Sequence, residues 1–326
     1  MNPDTDTFRS LSEQDFAARV EPHRRELHVH CYRLLGSFDE AEDVVQEAFL
    51  RAWRRRGTYE GRASVRAWLY RIATNACLDA LDKRPRQPGA NGEVGWLQPY
   101  PDELLEQLPD RREGPEDVAL AKETLELAFL TAVQHIAPLA RAVLVLRDVL
   151  GCSAKETAQL LEVTVASVNS ALQRARGALR EHLPADRGAW REGETSGAER
   201  ALLVRYVECT ERVDLDGLAA LLHEDARFSM PPEPGVWAGK DAVVACWAQG
   251  GFGSDAFGSV RCVTTRANGQ PTVAVYVRLP GGSGYEPLTV EVLQFRDGAV
   301  VDVVNFPRSV FAYFDLPARL EIMETA

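Results

Sequence analysis

Two amphipathic helical segments follow one another between Asp39 and Leu81, and they constrain the fold more than any other stretch. The first segment repeats apolar residues at helical spacing on one face, namely Ala41, Val44, Val45, Ala48, Phe49, Ala52 and Trp53. Asp39 and Glu42 have the spacing of a capping box, so we predict that this helix begins at Asp39. A second helix is predicted from Ser64, after a loop, with inward residues Val65, Trp68, Leu69, Ile72 and Ala73. Residues 16–86 contain no strand-like alternation and therefore predict a helical domain.

Both helices carry polar residues on the opposite face. On the first helix these are Asp43, Gln46, Glu47 and Leu50; on the second they are Arg71, Asn75 and Asp79, followed by Lys83, Arg84 and Arg86. A solvated face is the ordinary explanation of such a set. An exposed Leu between acids and an amide also suits a partner helix, so a docking face remains the alternative.

The net charge of −11 makes the chain acidic as a whole, but the charge is unevenly distributed. Residues 16–86 contain fourteen basic against ten acidic residues, whereas residues 184–326 contain thirteen against twenty. Only the first domain and the end of one later helix therefore have the charge to bind phosphates unaided. We expect weak binding to DNA alone and tight binding within a larger complex.

A second motif lies in residues 123–183. Ser153 and Glu156 form a capping box for a short helix that ends at Leu161, and Glu162–Thr164 predicts a tight turn. A third helix is predicted from Val165 to near His182, with inward residues Val165, Val168, Leu172, Ala175 and Leu179. Its outward residues are Ser167, Asn169, Ser170, Gln173, Arg174 and Arg176. This pattern predicts a helix-turn-helix whose last helix enters the major groove.

The segments DVVQEAFLRAW and RAWLYRIATNACLDAL resemble regions 2.2 to 2.4 of bacterial sigma-70 family factors, specifically the extracytoplasmic-function (ECF) group. The helix-turn-helix resembles sigma region 4.2. The resemblance implies a transcription initiation factor and not an enzyme. Its expected partners are core RNA polymerase, through the β′ coiled coil and the β flap, and promoter DNA.

The resemblance also implies roles for individual residues. Asp43, Gln46, Glu47 and Leu50 would bind the polymerase, and Asn75 would hold an extruded base of the −10 element. Further contacts to that element are expected from Tyr59, Arg71, Asp79, Arg84 and Arg86, and the outward residues of the last helix would read the −35 element. Asn169 and Ala171 stand where many relatives carry Arg, so we do not expect the usual −35 sequence.

The chain is expected to divide at its polar linkers into 1–86, 87–122, 123–183, 184–197 and 198–326. Residues 87–122 are acidic and rich in proline, yet Trp96–Pro101 (WLQPYP) is too aromatic for a plain spacer. This segment either docks on a neighbouring domain or threads through the polymerase, as in related factors, and these two interpretations are compatible.

The last segment changes to strand periodicity from Ser259 onward, with a hairpin signal at Asp297-Gly298. Helices followed by an antiparallel sheet predict an α+β domain. The phrase LAALLHEDARFSMPP…GKDAV resembles SnoaL-like domains of the cone-shaped NTF2-like fold. This resemblance implies a pocket, for which the candidate residues are His223, Met230, Trp237, Trp247, Tyr276 and Asn305, with Asp214, Asp225 and Phe295 as further candidates. No acid–base pair is evident among them, so no catalytic residue is assigned.

Three function classes follow from these patterns. The first is a sigma factor tuned by its C-terminal domain, with a small molecule as a candidate ligand of that domain. The alternatives are a SnoaL-type enzyme or ligand sensor fused to a DNA-targeting module, and a helix-turn-helix regulator that acts without polymerase. The polar N-terminus and the lack of a long apolar run predict a cytoplasmic protein without a membrane span. Scattered cysteines, and His28, His30 and Cys31 without a second ligand cluster, predict no metal or other cofactor.

Overall fold

The computed structural model describes residues 8, 10–59, 61, 64–84, 94–106, 126–183, 197–254 and 257–322. The chain forms two compact units. The first comprises Met1–Gln87 and Leu104–Ala185, and the second comprises Pro88–Glu103 and Asp186–Ala326. The described part of the first unit is helical and that of the second is α+β, as the sequence predicts.

Helices make up the described part of the first unit. They are α1 (Glu13–Val20), α2 (Arg24–Leu35), α3 (Phe38–Arg55), α4 (Val65–Lys83), the short α5 (Asp102–Glu106, which crosses the unit boundary), α6 (Leu127–Gln134), α7 (Pro138–Leu144), α8 (Ala154–Leu161) and α9 (Val165–His182). The α3 helix is capped two residues before the predicted Asp39, because the Ser37 side chain accepts from the Glu40 N–H. Ser64 caps α4 in the same way. The predicted cap at Asp39 is therefore wrong, although the helix is confirmed.

The apolar face of α3 is buried from Ala41 to Ala52, but Phe49 and Trp53 are half-buried. Each of these two rings lies under an arginine, with the Arg24 guanidinium 5.0 Å from the Phe49 centroid and that of Arg56 3.5 Å from Trp53. Both rings lie at the edge of the core, where a cationic side chain shields the aromatic face.

The helix-turn-helix consists of α8 and α9. Ser153 and Glu156 form the predicted capping box, with the Ser153 N–H donating to Glu156 Oε2 at 2.7 Å. Glu162 adopts a left-handed conformation (φ 55°) in the turn, and Thr164 caps α9. Val168, Leu172, Ala175 and Leu179 are buried as predicted. Val165 is not, being 43% exposed, because it occupies the first turn of α9 before the helix meets its neighbours.

The second unit packs three helices against a six-stranded sheet. The helices are α10 (Gly197–Glu211), α11 (Leu215–Leu221) and α12 (Lys240–Gln249). The strands are β1 (Leu222–Ser229), β2 (Val236–Ala238), β3 (Ser259–Ala267), β4 (Gln270–Arg278), β5 (Glu286–Arg296) and β6 (Ala299–Pro307), in spatial order β2-β1-β6-β5-β4-β3. Only the β1–β6 pair is parallel. The predicted hairpin at Asp297-Gly298 is confirmed, with φ of 52° and 76° at its two turn residues.

The core of this unit lies between the helices and one face of the sheet. It includes Tyr206 of α10, Val243 of α12, Phe228 of β1 and Leu293 of β5. Side chains alternate between the faces of a strand, so Glu291, two residues before Leu293, also points toward the helices. This alternation decides which residues can line a pocket under the helices.

Candidate nucleic-acid interface and associated surfaces

A pocket of about 280 Å³ opens beside α4 in the first unit. Its lining residues are Arg51, Arg55, Thr58, Trp68, Arg71, Ile72, Asn75 and Glu162. The pocket therefore brings together Asn75 and Arg71, two residues predicted for the −10 element, and adds arginines that the sequence reasoning did not single out. An amide with donor and acceptor groups beside cationic side chains suits a base with its phosphate.

Ion pairs distinguish the arginines of this pocket. Arg51 donates to Glu47 Oε1 at 2.7 Å and to Asp79 Oδ2 at 2.6 Å. The hydrogen bond to Glu47, followed by that to Asp79, raises the pKa of Arg51. Within the described ranges, no carboxylate forms an ion pair with Arg55 or Arg71, whereas two carboxylates pair with Arg51. Asp79 thus orients Arg51, and the excess positive charge comes from Arg55 and Arg71.

Two predicted −10 residues lie elsewhere. Tyr59 is 7% exposed and packs against Phe8 and Trp68, with ring centroids 4.8 and 5.2 Å away, so its faces are covered and it is not an exposed platform. Arg84 pairs with Glu40 and donates to the Leu35 carbonyl at 3.1 Å, so it joins α4 to the end of α2. Both side chains stabilise the helical unit. Arg86 lies outside the described residues.

The outward face of α3 is available to a partner. Asp43 and Gln46 are exposed, Leu50 is 51% exposed, and Glu47 is half-buried beside Arg51. An exposed Leu flanked by acidic and amide groups is the composition expected of a surface that binds another helix.

The outward face of α9 is also exposed at most of the predicted positions, namely Asn169, Ser170, Gln173, Arg174 and Arg176, with Ser167 half-buried. Arg176 is not free: its Nε and Nη2 donate to the two carboxylate oxygens of Asp148 at 2.8 and 2.7 Å. This hydrogen bonding raises the pKa of Arg176. Ala171 is buried, so it cannot contact a groove. Arg174 is therefore the unpaired cation of this helix face among the residues that the structure describes.

Some of the residues predicted to line a pocket in the second unit lie together, and others lie apart. Trp237 and Trp247 both contact Phe228, with centroids 5.7 and 5.8 Å away, and Met230 packs on the same core. His223 is at the start of β1 and accepts from the Asp225 N–H. Tyr276 contacts Phe311, and its hydroxyl donates to the Pro317 carbonyl at 2.8 Å. Because Val275 points into the helix-side core, Tyr276 points to the other face of the sheet. Tyr276 therefore lies apart from the two tryptophans, and the placement of His223 in a pocket stays a prediction.

A polar group that the sequence reasoning missed lies beside Asn305. The Tyr206 hydroxyl donates to Glu291 Oε2 at 3.0 Å, and the Asn305 amide donates to Glu291 Oε1 at 3.4 Å. Burial raises the pKa of Glu291 to about 7. A glutamate at an inward position of the apolar strand LTVEVLQF was the available signal. The carboxyl group is a polar anchor at the edge of an otherwise apolar interior.

The segment before α5 is fixed to the β3–β4 hairpin within the second unit. The Tyr100 N–H donates to Asn268 Oδ1, and the Asn268 N–H donates to the Tyr100 carbonyl, both at 2.9 Å. Asp102 Oδ1 accepts from the Gly269 N–H at 2.8 Å, and Asp102 Oδ2 accepts from Arg266 Nε at 3.2 Å. Tyr100 is 1% exposed. Residues 94–103, called the latch below, therefore dock on a neighbouring domain, one of the two interpretations of the aromatic linker.

No helix among the described residues is long and apolar enough to cross a membrane. The same residues contain no group of three or more His, Cys, Asp or Glu that could hold a metal ion.

Comparisons with known proteins agree on three segments. Residues 19–87 match Sigma-70 region 2, residues 126–179 match Sigma-70 region 4, and residues 203–303 match the SnoaL-like domain. The chain is 39% identical to the ECF RNA polymerase sigma factor SigG of Mycobacterium tuberculosis, over 94% of this chain and 85% of SigG. It is 31% identical to the ECF RNA polymerase sigma factor SigW of Bacillus subtilis, over 52% of this chain and 90% of SigW.

A solved structure extends the likeness to the fold. The M. tuberculosis extracytoplasmic function sigma factor SigJ matches 92% of this chain and 100% of its own, with a TM-score of 0.60 and 23% identity. At 23% identity, this match shows that the two proteins share a fold and nothing further.

Proposed function

The chain belongs to the ECF RNA polymerase sigma factors of the sigma-70 family, and we propose how its surfaces divide the work of initiation. As a sigma factor it binds core RNA polymerase and promoter DNA, and it is not an enzyme. We place its action in the cytoplasm, where polymerase meets DNA. The outward face of α3 binds the β′ coiled coil, the exposed face of α9 reads the −35 element, and the α4 pocket holds an extruded base of the −10 element.

The arginine-lined pocket around Asn75 carries this assignment. An extruded base needs a partner for its edge, which the Asn75 amide supplies, and a counter-charge for its phosphate, which Arg55 and Arg71 supply. The docking face of α3 is exposed beside this pocket, since Glu47 of that face pairs with Arg51 of the pocket. Polymerase binding and base capture are thereby served by neighbouring sides of one helical pair.

Replacing Asn75 by Ala tests the pocket. Loss of a bidentate base contact should reduce open-complex formation by roughly tenfold, while core-polymerase affinity stays within about twofold. Heparin-resistant complexes and run-off transcripts measure the first quantity, and titration of labelled protein with core polymerase measures the second. Gln249→Ala removes an exposed amide from α12 and is the matched control. Equal losses of polymerase binding and promoter opening would contradict the assignment.

The C-terminal domain tunes this activity through the latch. Residues 94–103 belong to the connection between regions 2 and 4, and four hydrogen bonds to Arg266, Asn268 and Gly269 fix their position. A connection held on the SnoaL-like domain is not free to follow the polymerase surface, so we assign the latched form lower activity. A ligand of the pocket around Met230, Trp237 and Trp247 would act by favouring or disfavouring this docking.

Asp102→Ala removes two of the four hydrogen bonds of the latch and leaves its buried aromatic residue intact. Release of the latch should raise run-off transcription by about threefold or more. Each charge-assisted hydrogen bond contributes roughly 1.5–3 kcal/mol in a shielded site, and less here because the Arg266 side chain is 40% exposed. Glu103→Ala removes the same charge from the adjacent exposed position. If both variants give the same transcription, or if Asp102→Ala lowers it, the inhibitory role of the latch is wrong.

A further inference from the structure

The exposed polar residues of α9 fall into two rows along the helix. Asn169, Gln173 and Arg176 are four and three residues apart, so they lie one above the other on one face. Ser170 and Arg174 form a second row, about 100° further around the helix. The first row spans about 10 Å along the helix axis, which is close to the height of roughly three base pairs. The two rows can therefore meet different parts of a DNA groove.

The side chains of the first row are those that hydrogen-bond base edges in pairs. The amides of Asn169 and Gln173 each offer a donor beside an acceptor, which matches the N6 and N7 atoms of adenine. The guanidinium of Arg176 offers parallel N–H groups, which match the O6 and N7 atoms of guanine. The second row has a small hydroxyl and a cation that no described carboxylate pairs with, which suit the phosphate backbone.

Asp148 binds one edge of the Arg176 guanidinium and leaves another edge open. The Nε and Nη2 atoms of Arg176 donate to Oδ2 and Oδ1 of Asp148 at 2.8 and 2.7 Å. A guanidinium carries five N–H groups in a rigid planar fork, so this side-on contact leaves the parallel pair on Nη1 and Nη2 for another acceptor. The Arg176 side chain is 54% exposed. The remaining N–H pair therefore has the geometry that the major-groove edge of guanine requires.

The backbone that carries Asp148 is itself held in place. Asp148 lies in a single π-helical turn, Val145–Val149, just before α8. The Leu150 N–H donates to the Val145 carbonyl at 3.0 Å and closes this turn. Such turns within helices often occur at functional sites. The carboxylate therefore restrains the Arg176 guanidinium, and a restrained side chain loses less conformational entropy when it binds.

The ion pair also changes the kind of contact that Arg176 can make. Asp148 offsets its positive charge, so a phosphate gains little electrostatic energy by approaching the pair. The direction of the remaining N–H groups is kept, so a base edge with two acceptors can gain both hydrogen bonds. An ion pair this exposed adds little to folding stability. The main effect of Asp148 is therefore on the direction and the charge of Arg176.

We propose that Arg176 reads a guanine in the major groove and that Asp148 is the positioning residue that directs it there. Asn169, Gln173 and Arg176 then form the base-reading row of α9, and Arg174 neutralises a phosphate beside it. The proposal rests on the −35 role given above to α9, and it identifies the residues that make this role specific for sequence.

Selection from promoter fragments with a randomised −35 element, bound by holoenzyme containing the full-length chain, tests the base contact. Wild-type holoenzyme should prefer G·C at one position by about tenfold, the discrimination that a bidentate contact provides. Arg176→Ala should abolish this preference and leave those at the other positions unchanged. Because the side chain is 54% exposed, folding should not be affected. If Arg176→Ala changes no position, the proposal is overturned; if the wild type selects no −35 sequence at all, the role of α9 itself is lost.

Asp148→Asn distinguishes a positioning role from a structural one, because it keeps the size of the side chain and removes its charge. It should weaken the same G·C preference by about threefold or more. It should also steepen the slope of log affinity against log salt concentration by about one, since Arg176 then has a net charge available to a phosphate. Glu181→Gln removes the same charge from an exposed position near the end of α9 and should change neither quantity. An unchanged preference in Asp148→Asn, or equal steepening in Glu181→Gln, would overturn the positioning role.

Removing the ion pair as a unit distinguishes a base contact from a phosphate contact. Asp148→Ala combined with Arg176→Ala leaves the net charge unchanged, so the salt slope should equal that of the wild type while the G·C preference is lost. A slope reduced by about one, with the preference intact, would show that Arg176 binds a phosphate and would overturn its contact with guanine.

Discussion

The carboxyl group of Glu291 should make the C-terminal domain less stable as the pH rises. Its only described partners are the Tyr206 hydroxyl and the Asn305 amide, and burial raises its pKa from 4.5 to about 7. Between these two values the unfolded chain loses the proton while the folded domain keeps it. The cost is therefore absent below pH 4.5, grows up to about pH 7, and is constant above that.

The magnitude follows from the two pKa values. A change from 4.5 to about 7 corresponds to about 3 kcal/mol, and we expect about 2 kcal/mol because Glu291 is partly accessible. Asp302, whose pKa burial raises to about 6, adds a cost of the same sign. Glu291→Gln keeps an acceptor for Tyr206 and cannot ionise. It should remove the Glu291 part of the pH dependence and leave that of Asp302.

Amide hydrogen exchange of β5 and β6 peptides, corrected for intrinsic rates, measures this stability in the full-length protein at pH 5 and pH 8. The wild-type protein should lose more protection between these values than Glu291→Gln, by about 1.5 kcal/mol, because part of the cost is already present at pH 5. Glu286→Gln, at an exposed position on the same strand, should behave like the wild type. If wild type and Glu291→Gln lose the same protection, the carboxyl is not desolvated and the reasoning is refuted.

Two further predictions concern the polar faces of the helical unit. Leu50→Asp should weaken core-polymerase binding by about tenfold or more. Because the Leu50 side chain is 51% exposed, the thermal unfolding midpoint should not change. Unchanged affinity in a polymerase titration would exclude the outward face of α3 as the polymerase-binding surface. Arg174→Ala should reduce the slope of log affinity against log salt concentration by about one, for promoter DNA bound by the holoenzyme. Arg180→Ala, outside the proposed contact set, should leave this slope unchanged. Equal slopes for both variants and the wild type would show that Arg174 does not neutralise a phosphate.

Local signals account for the elements that the sequence predicts correctly. The capping box of Ser153 and Glu156, the helical spacing of Val168, Leu172 and Ala175, and the Asp297-Gly298 turn each depend on residues within one or two turns of chain. Such patterns were enough to place the helix-turn-helix and the final hairpin. The errors at Asp39 and Val165 are confined to helix ends, where one residue decides which side chain caps or is covered.

The roles of individual polar residues depended on contacts between distant parts of the chain. Nothing near Arg84 or Arg176 in the sequence shows that Glu40 and Asp148 pair with them, and nothing near Tyr59 shows that Phe8 covers it. The inward position of Glu291 could be read from strand alternation, but its hydrogen bond to Tyr206 spans 85 residues.

The sequence by itself thus determined the order of helices and strands, the two DNA-binding motifs and the family, because caps, turns and periodicity act over a few residues. Only the tertiary structure decided which arginines are ion-paired, where the latch docks and which residues line the Asn75 pocket. Those properties depend on the distance between charged or buried groups, and that distance is set by packing between segments far apart in the chain.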